Sequence, residues 1–277
     1  MARNPKVEVD LLKLYFGDPY EIDLENVPGK VTVYSPTIGD MVRIGERKFW
    51  ETAMIFVCNT TQYRVMLWDL GIDWNKFSDF ELFVLLYKQI DKEVSKLFFG
   101  DLDFSKFVPL GKEVETDDGV TKELILWDDE NGIEINYDVY NHFCQYLRVM
   151  LNVFPEEKIT ASDHLKEWYI NKDRRANERA KEKEDKNHSI QPIISACVNH
   201  PGFKYKLQEL REVGMFEFYD SVSRLQIYEQ ATALMKGMYS GFIDSKNIKP
   251  EDYNFMREIV RDTNNSVSKA KDLKEQG

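Results

Sequence analysis

The stretch Asp118-Gly119-Val120-Thr121-Lys122-Glu123-Leu124-Ile125-Leu126-Trp127-Asp128-Asp129-Glu130-Asn131-Gly132 decides the fold class. Asp-Gly and Asn-Gly are type I′ turn dipeptides, because both positions of that turn tolerate a positive φ. Between them Thr121 to Trp127 is β-prone, with Leu124 and Leu126 facing opposite to Ile125 and Trp127. Phe107 to Val114 is expected to pair before this strand and Ile133 to Asn136 after it. An antiparallel meander over about 106–136 follows, in a chain whose other segments read as helical. The expected class is α+β, mainly α-helical.

Working outward, a helix is expected from Asp138 to about Asn152, with Val139, Phe143, Tyr146, Leu147 and Met150 at helical spacing. Upstream, Val31-Thr32-Val33 reads as a short strand stopped by Ser35-Pro36. Thr37 caps one helix carrying Ile38, Met41, Val42, Phe49, Ala53 and Phe56. Gln62 to Leu70 forms another and ends at Gly71. Ser78 and Glu81 have capping-box spacing ahead of Phe80, Leu82, Phe83, Leu85 and Leu86. Downstream, 15 of the 24 residues from Asp163 to Lys186 are charged, eight basic and seven acidic. Leu165, Trp168, Tyr169 and Ile170 are confined to its first third, which predicts a helix that starts on the body and runs into solvent. The expected organisation is a helical domain with the meander (1–162), a charged linker helix (163–187), an all-helical C-terminal domain (188–262) and a flexible tail (263–277). Within the third part the spacing predicts helices over Ile190–Asn199, Phe203–Val213 and about Phe216–Met238. The long one bears a stripe from Phe218 to Met238, and Pro250 starts a last helix carrying Tyr253, Phe255, Met256, Ile259 and Val260.

Composition narrows the function. The 277 residues are 43% hydrophobic and 13% aromatic, sufficient for a core. The net charge is −11, with 17 basic against 29 acidic residues through position 160, which disfavours nucleic acid as a partner. No apolar run approaches the ~20 residues of a membrane span, and Met1 to Lys6 lacks a secretion signal's apolar stretch. Cys58, Cys144 and Cys197 are distant and odd in number, as in reduced cytoplasmic thiols.

Candidate chemistry weighs the same way. His142 and Cys144, two apart on a helix, project about 200° from one another and cannot share one tetrahedral ion. Cys144 reads as core and His142 as surface. Cys197 and His200 lie close in sequence, but His200 beside Pro201-Gly202 is expected to hydrogen-bond a helix end. Asp128 to Gly132 lacks the spacing of a calcium loop, since Gly132 is fifth and no Glu stands twelfth, and reads as a charged hairpin tip. Arg174-Arg175 lies in a stretch of near-zero net charge, a solvated spacer more than a nucleic-acid contact. Phosphate-loop, dinucleotide, nucleophile-elbow and zinc-protease motifs are absent from the sequence. No catalytic, cofactor or metal residue is expected. Aromatics near loops are the remaining candidates. Gly241 permits a reversal that exposes Tyr239 and Phe242, which with Tyr205 on the neighbouring helix would form an apolar patch for a partner. The alternative is that Phe242 staples the loop to the core.

Three segments together resemble a family. Val31-Thr32-Val33-Tyr34-Ser35-Pro36-Thr37-Ile38-Gly39-Asp40, with Ile44-Gly45-Glu46 and Phe49, is the first. The second is Pro192-Ile193-Ile194-Ser195, Val198-Asn199-His200-Pro201-Gly202-Phe203 and Phe218-Tyr219-Asp220-Ser221-Val222, and the third Gly237-Met238-Tyr239-Ser240-Gly241-Phe242-Ile243-Asp244. They resemble tail and baseplate assembly proteins, including tail assembly chaperones, of bacteriophages from Gram-positive hosts. The resemblance implies a non-enzymatic protein of the host cytoplasm that binds a tail or baseplate component, such as the tape measure, during assembly. A structural subunit retained in the virion is the alternative, and a phage enzyme or nucleic-acid factor the third reading. Self-association stays open.

Overall fold

A computed structural model of the chain describes residues 6–116, 119–158, 160, 162–181, 190–241, 246 and 248–261. The fold is mainly helical α+β with two small antiparallel sheets. Helix α1 (Leu11–Tyr15) precedes strands β1 (Tyr20–Ile22) and β2 (Val31–Val33), which pair with Tyr20 opposite Val33. β1 is an addition to the sequence reading. Its three residues carry too little alternation to announce a strand, and β2 selects it.

Thr37 caps α2 (Ile38–Ile44), and the Asp40 side chain returns the bond to the Thr37 N–H. The single helix expected from Thr37 is broken at Gly45, whose φ of +100° interrupts the ladder before α3 (Glu46–Val57). Then come α4 (Arg64–Asp69), the Ser78-capped α5 (Asp79–Leu86), and α6 (Lys92–Phe99), which the sequence reading passed over. The meander is present as β3 (Val108–Thr116), β4 (Gly119–Asp128) and β5 (Ile133–Ile135), in that spatial order. Thr116 pairs with Gly119, so Gly119 belongs to the strand; the turn residue Asp118 lies outside the described residues. Asn136 caps α7 (Tyr137–Met150) through the Val139 N–H.

The core centres on Phe56, whose ring lies 4.9–6.2 Å from those of Phe83, Phe98, Phe99, Phe104 and Phe143. Beside it Arg148 of α7 donates to the carbonyls of Val57 (2.8 Å) and Cys58 (2.9 Å) at the end of α3, and pairs with Asp79 at the start of α5 (3.4 Å). Asp79 also accepts from the Thr60 N–H at 3.0 Å. One guanidinium thus satisfies helix-end carbonyls that would otherwise be buried without donors.

Helix α8 (Asp163–Lys181) starts on the body, with Lys166 and Ile170 buried, and Arg175 to Arg179 are exposed. Arg64 of α4 bonds Asp173 at 2.6 Å and lies 4.8 Å over the Tyr169 ring, and Arg174 pairs with Asp69. These ties hold α8 on α4 through Arg174. Ile170 is buried, whereas Leu165 and Trp168 are exposed. Residues 182–187 of the expected linker lie outside the described residues.

In the C-terminal part α9 (Gln191–Val198) and α10 (Met215–Tyr239) are present, but the helix expected over Phe203–Val213 is not. Only Glu209–Arg211 forms a 3₁₀ turn. The cause is tertiary. Thr37 and Gly214 form an antiparallel bridge, Ile38 N–H donates to Val213 O and Met215 N–H to Pro36 O. Arg211 O lies 2.5 Å from where a Cβ on Gly39 would sit, so this contact requires glycine. The last helix is likewise only a 3₁₀ turn, Pro250–Tyr253, and residues 254–261 run as a strap along α10. The tail from 263 lies outside the described residues. Leu210, Val213, Met215, Phe216 and Phe218 join the buried cluster of α3, α5 and α7, so one core runs through both ends of the chain.

Replacing Arg148 by Met strips Asp79 of its buried cation and leaves two carbonyls without their donor. Unfolding free energy should fall by about 3–5 kcal/mol in a denaturant titration. Adding Asp79→Asn to Arg148→Met should recover part of that loss, because the two sites are coupled. Strict additivity would refute the pairing.

Candidate functional site

Helix α10 is 25 residues long, about 37 Å at 1.5 Å per residue. Its first turns are buried through Met215, Phe216 and Phe218, but Tyr228, Met235 and Tyr239 are exposed, so the expected stripe is not covered along its length. Around its middle lies a groove of about 680 Å³ lined by Tyr15, Phe203, Tyr205, Leu225, Tyr228 and Met256 among others. Tyr15 of α1 meets Phe216 edge-on at 6.2 Å, Phe203 meets Tyr205 at 5.6 Å, and Tyr228 meets Phe255 at 5.9 Å.

Polar bonds hold this aromatic wall in place. The Tyr205 hydroxyl donates to Glu217 at 2.5 Å, and burial together with that carboxylate pushes the phenol pKa up. Arg224 donates to the carbonyls of Phe255 (2.8 Å) and Arg257 (2.7 Å), fastening the 254–261 strap. Arg261 pairs with Asp220 and lies 4.5 Å over the Phe216 ring. The strap leaves Met256 73% exposed at the rim.

The structure separates the residues the sequence reading had grouped. Tyr205 is half-buried in the groove, on an irregular segment and not a helix. Tyr239 is 87% exposed at the far end of α10, about 33 Å along the helix axis from Glu217, which Tyr205 contacts. The two share no patch. Phe242 lies outside the described residues. Missed in the sequence were Tyr15, Arg224, Phe255 and Met256. Phe203 and Tyr205 alternate with Lys204 and Lys206, a period of two that suits extended chain better than the expected helix.

The other candidates resolve into structure. Cys58, Cys144 and Cys197 are buried free thiols, and burial raises the pKa of each, which suppresses the thiolate. His200 Nδ1 accepts the Gly202 N–H at 3.0 Å, and its Nε2 lies 3.4 Å from Glu229. Among the described residues no group of three or more His, Cys, Asp or Glu could hold a metal ion. Asp128 is buried, not a solvent-face residue, and its carboxylate organises the turn by accepting from the Glu130 and Asn131 N–H groups and from Asn131 Nδ2. His142 is half-buried; its Nδ1 lies 2.7 Å from the Tyr20 hydroxyl, a tie from α7 to β1.

With this geometry in view, a family model described as the YomV second domain matches residues 181–259, a span that contains the groove residues from Gly202 to Met256. That family is phage-associated, which supports a phage origin for the chain. No curated protein and no solved structure matches. Among the described residues no helix is long and apolar enough to cross a membrane.

Burial holds the His142 pKa below its ordinary 6.5, with Asp138 opposing weakly. The unfolded chain therefore binds this proton first as pH falls. The contribution is present above the unfolded pKa and is lost as pH drops through the folded one. His142→Gln should lose less stability than the parent as pH falls below the ordinary histidine value of 6.5, measured by thermal melts; identical losses would refute the assignment.

Proposed function

We propose that this chain is a non-enzymatic phage morphogenesis protein that holds a tail or baseplate component in the aromatic groove during virion assembly. The observation that carries this reading is the coincidence of the groove with the phage-family span. Residues 1–162 then act as the supporting body and 188–262 as the module that meets the partner. Tyr205, Tyr228 and Phe255 are rigid aromatic anchors, and Met256 is an adaptable rim contact suited to masking a partner's apolar helix face. Tyr239, with Phe242, is a second, outlying candidate for the same partner.

A photocrosslinking residue in place of Tyr228, in phage-producing cells, should give one adduct whose partner peptides come from a tail or baseplate protein. Met256→Asp should abolish the adduct while changing stability by less than about 0.5 kcal/mol, as for an exposed site. Tyr239→Ser should leave it intact. Loss with Tyr239→Ser and retention with Met256→Asp would move the site to the helix end. An adduct to an enzyme or a nucleic-acid protein would overturn the reading. Presence of the chain in purified virions would make it a retained subunit and not a chaperone.

A further inference from the structure

The β3–β4 hairpin is longer than the sheet that supports it. β5 pairs only with Leu126, Trp127 and Asp128, whereas β3 and β4 continue through nine unbroken pairs to Thr116–Gly119. From Gly111 outward the ribbon extends about 20 Å with two strands alone. A two-stranded ribbon is marginal in water, and natural edges of this length are normally broken by a bulge or proline. Here no bulge interrupts the register.

The register also tells which groups are free. Glu134 donates its N–H to Pro28 O and not to β4, so its partner Trp127 turns its N–H and C=O toward Val108, and alternate residues of β3 point theirs away from β4. These are Pro109, Gly111, Glu113 and Glu115. Pro109 agrees with the assignment, since it has no N–H to give the ladder, and it closes the inner end of the edge. Among the described residues no backbone hydrogen bond from outside the sheet reaches Gly111, Glu113 or Glu115.

Side chains beside this edge divide by face. Val108 and Leu110, 53% and 45% exposed, share one face with Ile125 and Trp127. Gly111 and the exposed Glu113 lie on the other. Residues 111–124 hold two lysines against five carboxylates. A second copy of this arm, in a chain of net charge −11, would meet like charge.

We propose that this hairpin is a docking arm whose β3 edge takes an added strand from a different protein, with apolar side chains over Val108 and Leu110 alternating with Lys or Arg beside Glu113. Main-chain bonds to Gly111, Glu113 and Glu115 give the affinity, and the alternation gives the choice of partner. This site is separate from the groove and stands without it.

The test places a photocrosslinking residue at Leu110 in phage-producing cells and sequences the attached peptide. The expected adduct is a segment alternating apolar and basic residues. Gly111→Pro removes one outward N–H, and a Cβ at Gly111 meets only Lys122 Cδ at 3.9 Å. Gly111→Pro and Glu113→Lys should each cut the adduct about tenfold or more, while Gly111→Ala keeps it. The Tyr228 adduct should survive all three, which separates this proposal from the groove. If Gly111→Pro lowers the melting temperature, Glu113→Lys decides alone. No adduct, an acidic or helical segment, a second copy of this chain, or an adduct indifferent to Glu113→Lys would overturn the proposal.

Discussion

Arg148 is the constraint on which the rest of the architecture depends. The end of α3 and the start of α5 meet beside α7, where the buried carbonyls need a donor and the buried carboxylate of Asp79 a counter-charge. The guanidinium supplies both, through the carbonyls of Val57 and Cys58 and the carboxylate of Asp79. Its planar fork can serve divergent acceptors at once, which a lysine ammonium could do only with poorer geometry. With that junction closed, the phenylalanines around Phe56 can pack without leaving polar backbone stranded among them.

From this junction the two working surfaces are carried outward by different means. The C-terminal groove is fastened to the body by the Thr37–Gly214 bridge and the close approach of Arg211 to Gly39, then shaped by the strap that Arg224 and Arg261 hold against α10. The hairpin arm is rooted by Leu126 and Ile135 in the core and loses that support where β5 turns into α7. Both surfaces expose apolar side chains on a supported frame, which the proposed binding role requires. The phage-associated family match falls on the groove and not on the arm.

Much of the fold was legible because it is local. The capping residues Thr37 and Ser78 and the β-prone run Thr121–Trp127 act within a few residues, and the structure uses them. What was not legible depends on distant partners. Phe203–Val213 has a helical composition but is pinned as irregular chain by pairing at Ile38 and Pro36, more than 170 residues away. The strap at 254–261 is set by Arg224 and Asp220 on another helix. The candidate site was half legible for the same reason. Tyr205 could be picked out as a candidate, though on a helix that the structure does not form, and its separation from Tyr239 follows from the length and direction of α10, which no local pattern encodes.

Hydrogen–deuterium exchange on the full chain tests the central claim most directly, that one locked core supports two less protected binding surfaces. The account predicts slowest exchange at α3, α5 and α7, opening only with global unfolding. It predicts fast exchange at the Gly111 and Glu113 amides, whose N–H groups face away from β4, and intermediate protection in α10 beyond Gln226. Gly111 and Glu113 amides as slow as those of α7, or an α7 that exchanges before α10, would contradict it.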